Sequence, residues 1–188
     1  MRSIQELMIY MVVFLPVYII GRIIIVKTGK KPRNFVREVF LAVFFLYSFA
    51  LAVLLFKPAY GIDLVDLMKG NHSGANPPNF IPGQTIKMYL DSTNLIGLGA
   101  RAENLFGNLF CFTPIGFGLP LLWKRWQRFW AVFLFGLIAP LFVETIQYFT
   151  ARYADIDDLM LNCIGVTIGY IIYKLIFWLS RVLPRLSA

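Results

Sequence analysis

Six acidic or amide side chains lie close together along an otherwise apolar part of the chain, at Glu144, Gln147, Asp155, Asp157, Asp158 and Asn162. A charge inside hydrocarbon is costly, so a carboxylate there must be protonated or paired with a cation or a hydrogen-bond donor. A carboxylate in apolar surroundings can act as a general acid or base, and carboxylates together with amides can hold the polar head of a ligand. These residues are therefore the candidates for a functional site.

Glu144 and Gln147 lie inside an apolar run that predicts a membrane helix. Residues three and four positions apart are neighbours on a helix, so Glu144, Gln147 and Tyr148 share one face. At 1.5 Å per residue, Glu144 lies roughly 9 Å from the helix end near Thr150. The nearest cation in the sequence is Arg152. The alternative is that Glu144 and Gln147 only hydrogen-bond neighbouring helices as packing contacts.

The aspartates at 155, 157 and 158 precede the last apolar run. One of them is expected to cap that helix, because a carboxylate at a helix N-terminus accepts backbone N–H groups and meets the positive end of the helix dipole. Three aspartates beside Arg152 exceed what a cap requires, so we also assign Asp155 and Asp158 to the candidate ligand site. Their spacing matches no known cation-binding loop, and no metal site is predicted.

Further polar and small residues lie in the two neighbouring runs. Asn104 and Asn108 are four positions apart and face the same way, and Asn162 follows Asp158 by one helical turn. Gly-x-x-x-Gly pairs are typical of close helix contact in membranes, so we assign a helix-packing role to Pro114, Gly116, Gly165 and Gly169.

The elements that position these residues are predicted to be membrane helices. Hydrophobic residues make up 59% of the 188 residues and charged residues 15%, whereas soluble domains are about a quarter charged. Runs of about 20 apolar residues match a hydrocarbon core of ~30 Å. We predict an all-α polytopic membrane protein, a five-transmembrane-helix bundle forming a single domain, with helices at about 4–26, 35–56, 102–123, 129–150 and 158–179. The third is expected to be kinked near Pro114.

The loop charges predict the orientation. Lys27–Arg37 holds five basic residues and Lys124–Arg128 holds three, whereas the turn Ala151–Asp157 is net acidic. The positive-inside rule places both basic loops and the C-terminus in the cytoplasm and the N-terminus outside. The long loop 57–101 then lies outside with the acidic turn, and its turn-rich sequence predicts no span. Within it, Lys87–Leu90 is expected to form a short helix at the membrane interface.

Several functional classes are disfavoured. The net charge of +8 comes from basic residues in short loops between apolar runs, where topology and anionic lipids explain them, so no nucleic-acid partner is predicted. Cys111 and Cys163 lie inside apolar helices, which favours packing over a disulfide or a zinc site. The only histidine, His72, lies in a polar loop. No cofactor is expected.

The motifs together resemble those of the VanZ-like membrane protein family. They are Asn104-x-x-x-Asn108, Phe112-x-Pro114-x-Gly116, Glu144-x-x-Gln147, Arg152-x-x-Asp155-Ile156-x-Asp158 and Asn162-x-x-Gly165-x-x-x-Gly169. Phe80-Ile81-Pro82 resembles the lead-in of that family, and the resemblance covers residues 79–173. The family takes its name from an accessory protein that raises resistance to the glycopeptide antibiotic teicoplanin. It implies no agreed biochemical activity.

With the predicted orientation, eight polar residues lie in the outer half of the bilayer: Asn104, Asn108, Glu144, Gln147, Arg152, Asp155, Asp158 and Asn162. The leading hypothesis is a multi-pass protein of the plasma or inner membrane. Its polar pocket binds an envelope lipid or a lipid-linked cell-wall precursor, and it lowers susceptibility to glycopeptides such as teicoplanin that compete for the same place. Arg152 would contact an anionic group, because its forked guanidinium suits phosphate and carboxylate.

Two other hypotheses stay open. The chain could be an enzyme that modifies an envelope lipid with Glu144 or Asp155 as acid or base. Binding is favoured over catalysis, because Ser73, Ser92 and His72 lie in a loop and offer no convincing nucleophile. The polar residues could instead serve a structural or partner-binding membrane protein. The sequence does not specify the ligand, the oligomeric state, or whether the 57–101 loop covers the pocket.

Overall fold

The computed structural model describes residues 2–28, 34–56, 78–91, 98–149 and 154–186. Within these ranges the chain is helical, and its one β-type pairing is an isolated parallel bridge between Asn79 and Asp155. The predicted all-α class is therefore confirmed for the described residues. The chain divides into two compact units, Met1–Lys57 and Pro58–Ala188.

The first unit is a hairpin of two helices, α1 (Arg2–Thr28) and α2 (Phe35–Phe56). Aromatic rings join them: Phe14 stacks on Phe49 with 3.9 Å between ring centroids and 7° between ring planes. Towards the loop, the guanidinium of Arg22 pairs with the carboxylate of Glu38. Arg22 lies near the end of α1, where its long stem can carry the charge towards the interface.

The second unit contains five α-helices and a single turn of 3-10 helix at Lys124–Gln127 within its described part. The five are α3 (Gln84–Leu90), α4 (Leu98–Cys111), α5 (Thr113–Leu122), α6 (Phe129–Phe149) and α7 (Ile156–Leu186). The start of α7 at Ile156 places Asp157 and Asp158 in its first turn. The short helix α3 begins at Gln84, three residues before the position expected from the sequence.

The third apolar run is interrupted at Phe112, which separates α4 from α5. The carbonyl oxygen of Phe112 accepts the N–H groups of Ile115 at 3.1 Å and Gly116 at 3.0 Å, so a new helix starts there. Pro114 occupies the first turn of α5, where its missing N–H costs no helical hydrogen bond. The expected interruption near Pro114 is thus present. Pro114 itself is exposed, so its contribution is to the start of α5.

Small residues let α7 lie directly against α4 and α5. A Cβ atom on Gly165 would overlap the carbonyl oxygen of Leu109, and a Cβ on Gly169 would overlap that of Thr113. From the opposite side, a Cβ on Gly116 would overlap the carbonyl oxygen of Val166. This is the close backbone approach expected of a Gly-x-x-x-Gly pair.

Hydrogen bonds reinforce this contact between the helices. The hydroxyl of Thr113 donates to the carbonyl oxygen of Gly165 at 3.1 Å, and the thiol of Cys163 donates to that of Gly136 in α6 at 2.8 Å. Cys163 therefore serves α6–α7 packing. Together with the glycines, these bonds hold α7 against α4, α5 and α6.

Four described helical stretches are long and apolar enough to cross a membrane: Phe35–Leu55, Leu105–Leu122, Phe129–Tyr148 and Ile156–Arg181. In α1 the apolar stretch among the described side chains is Phe14–Ile25, which is shorter. Many apolar side chains of these helices face outward, such as Ile138 at 62% exposure and Phe142 at 60%. The chain is thus a multi-pass membrane protein with four spans by length and composition, and a fifth in α1 stays a prediction.

Candidate functional site

Asp155 forms the N-terminal cap of α7. Its carbonyl oxygen accepts the N–H of Leu159 at 3.3 Å, and its carboxylate Oδ1 accepts the N–H of Asp157 at 2.9 Å. A side-chain oxygen bonded to the second N–H of the helix is the usual geometry of an aspartate cap. The expectation that one of the three aspartates caps this helix is confirmed. The side chain of Asp155 is 2% exposed.

Asp157 caps a different helix, α3. Its carboxylate accepts the backbone N–H groups of Gly83 at 2.6 Å, Thr85 at 2.8 Å and Ile86 at 3.0 Å. The residue before α3 is Gly83, which has no side chain to cap the helix and has a φ of 82°. That left-handed conformation favours glycine. A carboxylate from α7 therefore supplies the acceptor that the N-terminus of α3 needs, and Asp157 is 0% exposed.

Asn79 and Thr85 complete the attachment of α3 to α7. The backbone N–H of Asn79 donates to the carbonyl oxygen of Ala154, and the N–H of Ile156 donates to that of Asn79, both at 3.0 Å. The side-chain amide of Asn79 donates to Oδ1 of Asp155 and to the hydroxyl of Thr85, each at 3.0 Å. That hydroxyl in turn donates to Oδ2 of Asp155. The sequence reasoning missed both residues.

Glu144 links α6 to this group. Its Oε2 accepts the backbone N–H of Asp155 at 3.0 Å, and the side chain is 8% exposed. Gln147, one turn further along α6, is also buried, at 7% exposure. The predicted common face of Glu144 and Gln147 is thus directed into the protein, whereas Tyr148 is 54% exposed.

Asn108 of α4 joins from the other side, where its side-chain amide donates to the carboxylate of Asp158. We call this group of seven the polar junction: Asn79, Thr85, Asn108, Glu144, Asp155, Asp157 and Asp158. It lies at the start of α7 and ties α3, α4 and α6 to that one helix end.

Asn162 lies one turn below Asp158, on the face of α7 that also carries Gly165 and Gly169. The side chain is 3% exposed, and its Oδ1 has no hydrogen-bond partner within the described part of the chain. Buried polar atoms are bonded in roughly nine cases of ten. A buried acceptor with no donor among the described residues therefore lies one helical turn from Asp158.

Two predicted site residues are outside what the structure describes. Arg152 lies in the stretch 150–153, and only the backbone of Asn104 is described, as part of α4. Most of the loop 57–101 also lies outside the described ranges, including His72, Ser73 and Ser92. Of the remaining predicted ligand residues, the structure brings Asn108, Glu144, Asp155 and Asp158 into the polar junction and places Asn162 next to it.

The chemistry of the polar junction is that of a buried acceptor-rich group. Four carboxylates are present, and the described donors bonded to them include backbone N–H groups, the side-chain amides of Asn79 and Asn108 and the hydroxyl of Thr85. Both oxygens of Asp155 already accept hydrogen bonds and are buried, which suits orientation better than proton transfer to a substrate. Among the described side chains, no three of His, Cys, Asp and Glu are arranged to hold a metal ion.

Comparison with known proteins assigns the chain to a family. The VanZ/LLP1 family model matches residues 43–178, well over half of the chain. The match begins inside α2, further towards the N-terminus than the motifs at 79–173, and it contains the whole polar junction. No curated protein and no solved structure is significantly similar. With its apolar spans and this match, the chain belongs to the VanZ-like family of membrane proteins.

Proposed function

We propose that this protein binds the polar head group of an envelope lipid or of a lipid-linked cell-wall precursor at the polar junction. The observation that supports this is the Oδ1 of Asn162, a buried acceptor without a described donor. Leaving a buried polar group unpaired costs about 1–3 kcal/mol, so a site that keeps one gains when a ligand supplies the donor. Its place beneath Asp158 would let such a ligand extend from the junction towards the apolar interior.

The surrounding groups favour a head group that carries donors. Asn162, Glu144 and Asp158 are acceptors or carboxylates at or next to the polar junction. Hydroxyl or ammonium groups of a lipid would complement the Oδ1 of Asn162. A phosphate on the same ligand would be contacted by Arg152, whose forked guanidinium suits that anion.

The proposal includes the orientation that the loop charges predict. Five spans, with the N-terminus outside and the C-terminus in the cytoplasm, would put the polar junction in the outer half of the cell membrane. A ligand would then enter from the outer leaflet. Reporter fusions at the C-terminus and within the loop 57–77 would test this orientation. A reporter that works only in the cytoplasm should be active at the C-terminus, and a reporter that works only outside the cell should be active in the loop.

Analysis of co-purifying lipids tests the binding proposal. Wild type would be compared with Asn162→Leu, which removes the acceptor at similar volume, and with Thr167→Val. Among the described residues, the hydroxyl of Thr167 bonds within α7, to the carbonyl oxygen of Cys163 at 2.9 Å, so it is a matched control. Mass spectrometry should find a lipid enriched with wild type and Thr167→Val and lost with Asn162→Leu. The same lipid profile for all three folded proteins would refute the proposal.

Glycopeptide susceptibility is the proposed cellular consequence. A lipid-tailed glycopeptide such as teicoplanin would compete for the same place, so expression of the protein should lower susceptibility to it. The measurement is the inhibitory concentration for a sensitive host that expresses wild type or Asn162→Leu at verified, equal membrane levels. Equal susceptibility of the host with and without the wild-type protein would remove this part of the proposal.

A structural function is the second candidate, and a specific observation favours it. The carboxylate of Asp157 is fully buried and accepts three backbone N–H groups of the α3 start, so part of the polar junction holds helices together. If Asn162 and the adjoining polar junction served only this purpose, Asn162→Leu would change the thermal stability in detergent and leave the lipid profile unchanged.

A further inference from the structure

The segment from Asn79 to Leu90 carries large apolar side chains on its outer surface. Phe80 is 72% exposed, Ile81 is 63% exposed and Leu90 is 70% exposed. The other side of the segment is buried, since Asn79 and Thr85 are 6% and 7% exposed. The segment therefore has two sides, with Asn79 and Thr85 directed inward to the polar junction and three bulky apolar side chains directed outward.

The attachment of this segment defines its level relative to the membrane. Asn79 exchanges backbone hydrogen bonds with Ala154 and Ile156, and Ile156 is the first residue of the span Ile156–Arg181. Phe80 and Ile81 follow directly in the chain, so they lie at the depth where α7 begins. This is the boundary between the hydrocarbon core and the head groups.

The exposed polar residues of the segment fit the same boundary. Gln84 and Lys87 are exposed and three positions apart, so they lie on one side of α3, and the exposed Asp91 follows the last residue of that helix. A lysine with a flexible apolar stem can place its ammonium at the head groups while neighbouring apolar residues lie deeper. The first turns of α7 also carry exposed apolar side chains, since Met160 is 39% exposed and Ile164 is 46% exposed.

We propose that Phe80, Ile81 and Leu90 insert into the acyl chains of the leaflet at the α7 start, so that α3 lies in the membrane interface as a lipid-facing anchor of the polar junction. The partner of this surface is the lipid bilayer. Lipid packing around Phe80 and Ile81 then acts on α3, and through Asp155 and Asp157 on the arrangement of the junction. This inference does not depend on head-group binding at Asn162.

Site-directed spin labelling in vesicles tests the insertion. Labels would be placed singly by Phe80→Cys and Ile81→Cys in a chain carrying Cys111→Ala and Cys163→Ser, reconstituted into phosphatidylethanolamine and phosphatidylglycerol. Gln84→Cys provides a water-exposed control on the same segment, and Ile138→Cys, at 62% exposure in α6, provides a lipid-exposed control. All four positions are exposed, so the labels should not disturb the fold.

Labels at Phe80 and Ile81 should collide with oxygen severalfold more often than with a water-soluble nickel chelate, as the label at Ile138 does. The label at Gln84 should show the opposite preference. Nickel accessibility at Phe80 and Ile81 equal to that at Gln84 would overturn the proposal, because the side chains would then face water. Protection from both reagents would also overturn it, since the surface would then be covered by protein.

Discussion

The α1–α2 hairpin and the α4–α7 bundle are both built from apolar helices, yet different contacts hold each together. In the hairpin, the contacts are ring stacking between Phe14 and Phe49 and an ion pair between Arg22 and Glu38. In the bundle, the backbones of α5 and α7 meet at Gly116 and Gly169, and a buried polar junction joins four helices.

The difference shows why apolar character alone does not organise a membrane protein. Lipid tails are as apolar as leucine, so burying a leucine between helices gains little over leaving it in lipid. Close backbone packing and satisfied polar groups supply what apolar burial does not. The bundle uses both, whereas the described hairpin uses side-chain contacts. Substitutions should therefore cost far more in the bundle than in the hairpin.

The largest effect is expected for Asp157→Ala in the bundle. Three backbone N–H groups at the start of α3 would lose their acceptor. Each N–H group that stays buried without a partner lowers the stability of the fold by about 1–3 kcal/mol. The variant should lose roughly 3 kcal/mol or more of stability, seen as a lower melting temperature in detergent. Hydrogen exchange should rise first at residues 83–86. Asp157→Asn keeps one acceptor oxygen, so its melting temperature should lie between those of wild type and Asp157→Ala. Unchanged hydrogen exchange at residues 83–86 in Asp157→Ala would contradict the capping role.

Gly165→Ala is expected to have the next largest effect. The new Cβ atom would overlap the carbonyl oxygen of Leu109, so α4 and α7 would have to separate. Overpacking of this kind lowers stability by about 1–3 kcal/mol. The matched control is Gly107→Ala in α4, where no described atom lies within 4 Å of the new Cβ. Thermal unfolding should separate the two variants clearly. Equal melting temperatures would mean that α7 does not depend on close backbone contact.

A smaller effect is expected for Phe14→Leu in the hairpin. The substitution removes the ring stacked on Phe49 and should cost about 0.5–1.5 kcal/mol, the usual worth of an aromatic pair. Hydrogen exchange should increase within α1 and α2 only. Val17→Leu, at a position 65% exposed, should leave exchange unchanged and serves as the control. An equal response of both variants would show that the ring stacking contributes nothing.

The smallest effect is expected for Glu38→Gln. The side chains of Arg22 and Glu38 are 23% and 25% exposed, and ion pairs that solvent can reach contribute about 0–1 kcal/mol. The loss in melting temperature should shrink as salt is added, because salt screens such a pair. If Glu38→Gln lowered the melting temperature as much as Asp157→Ala, the two regions would not differ in how much their contacts contribute to stability.

Much of the helical framework could be predicted because its causes are local. Apolar runs of span length identified α2 and both ends of α6 closely, since hydrocarbon thickness dictates helix length. The start of α7 was also close, but α7 ends at Leu186, beyond the predicted end at residue 179. The interruption near Pro114 could be expected because proline is disfavoured inside a helix and is accommodated in its first turn, where the structure has it. The aspartates before the last run indicated a helix cap because carboxylates satisfy free N–H groups there.

The partners within the polar junction could not be predicted in the same way. Asp157 was a candidate cap for its own helix. Its carboxylate instead accepts the backbone N–H of Gly83, which lies 74 positions earlier in the chain. A carboxylate in a first helical turn looks the same in sequence whichever helix it caps. Near α3, the sequence offered only the stretch Phe80–Pro82, which resembles the lead-in of the VanZ-like family. That stretch did not indicate that Asn79 or Thr85 would join the polar junction.

By itself, the sequence determined the class of the protein: a chain of apolar helices, with glycines at helical spacing and a few costly polar residues between them. Hydrophobicity, helical periodicity and the energetic cost of charge in lipid depend on residues near one another in the chain. The tertiary structure alone decided which polar residues meet, because Glu144, Asn108 and Asn79 reach the start of α7 from three separate segments. Their hydrogen bonds exist only once the helices have packed.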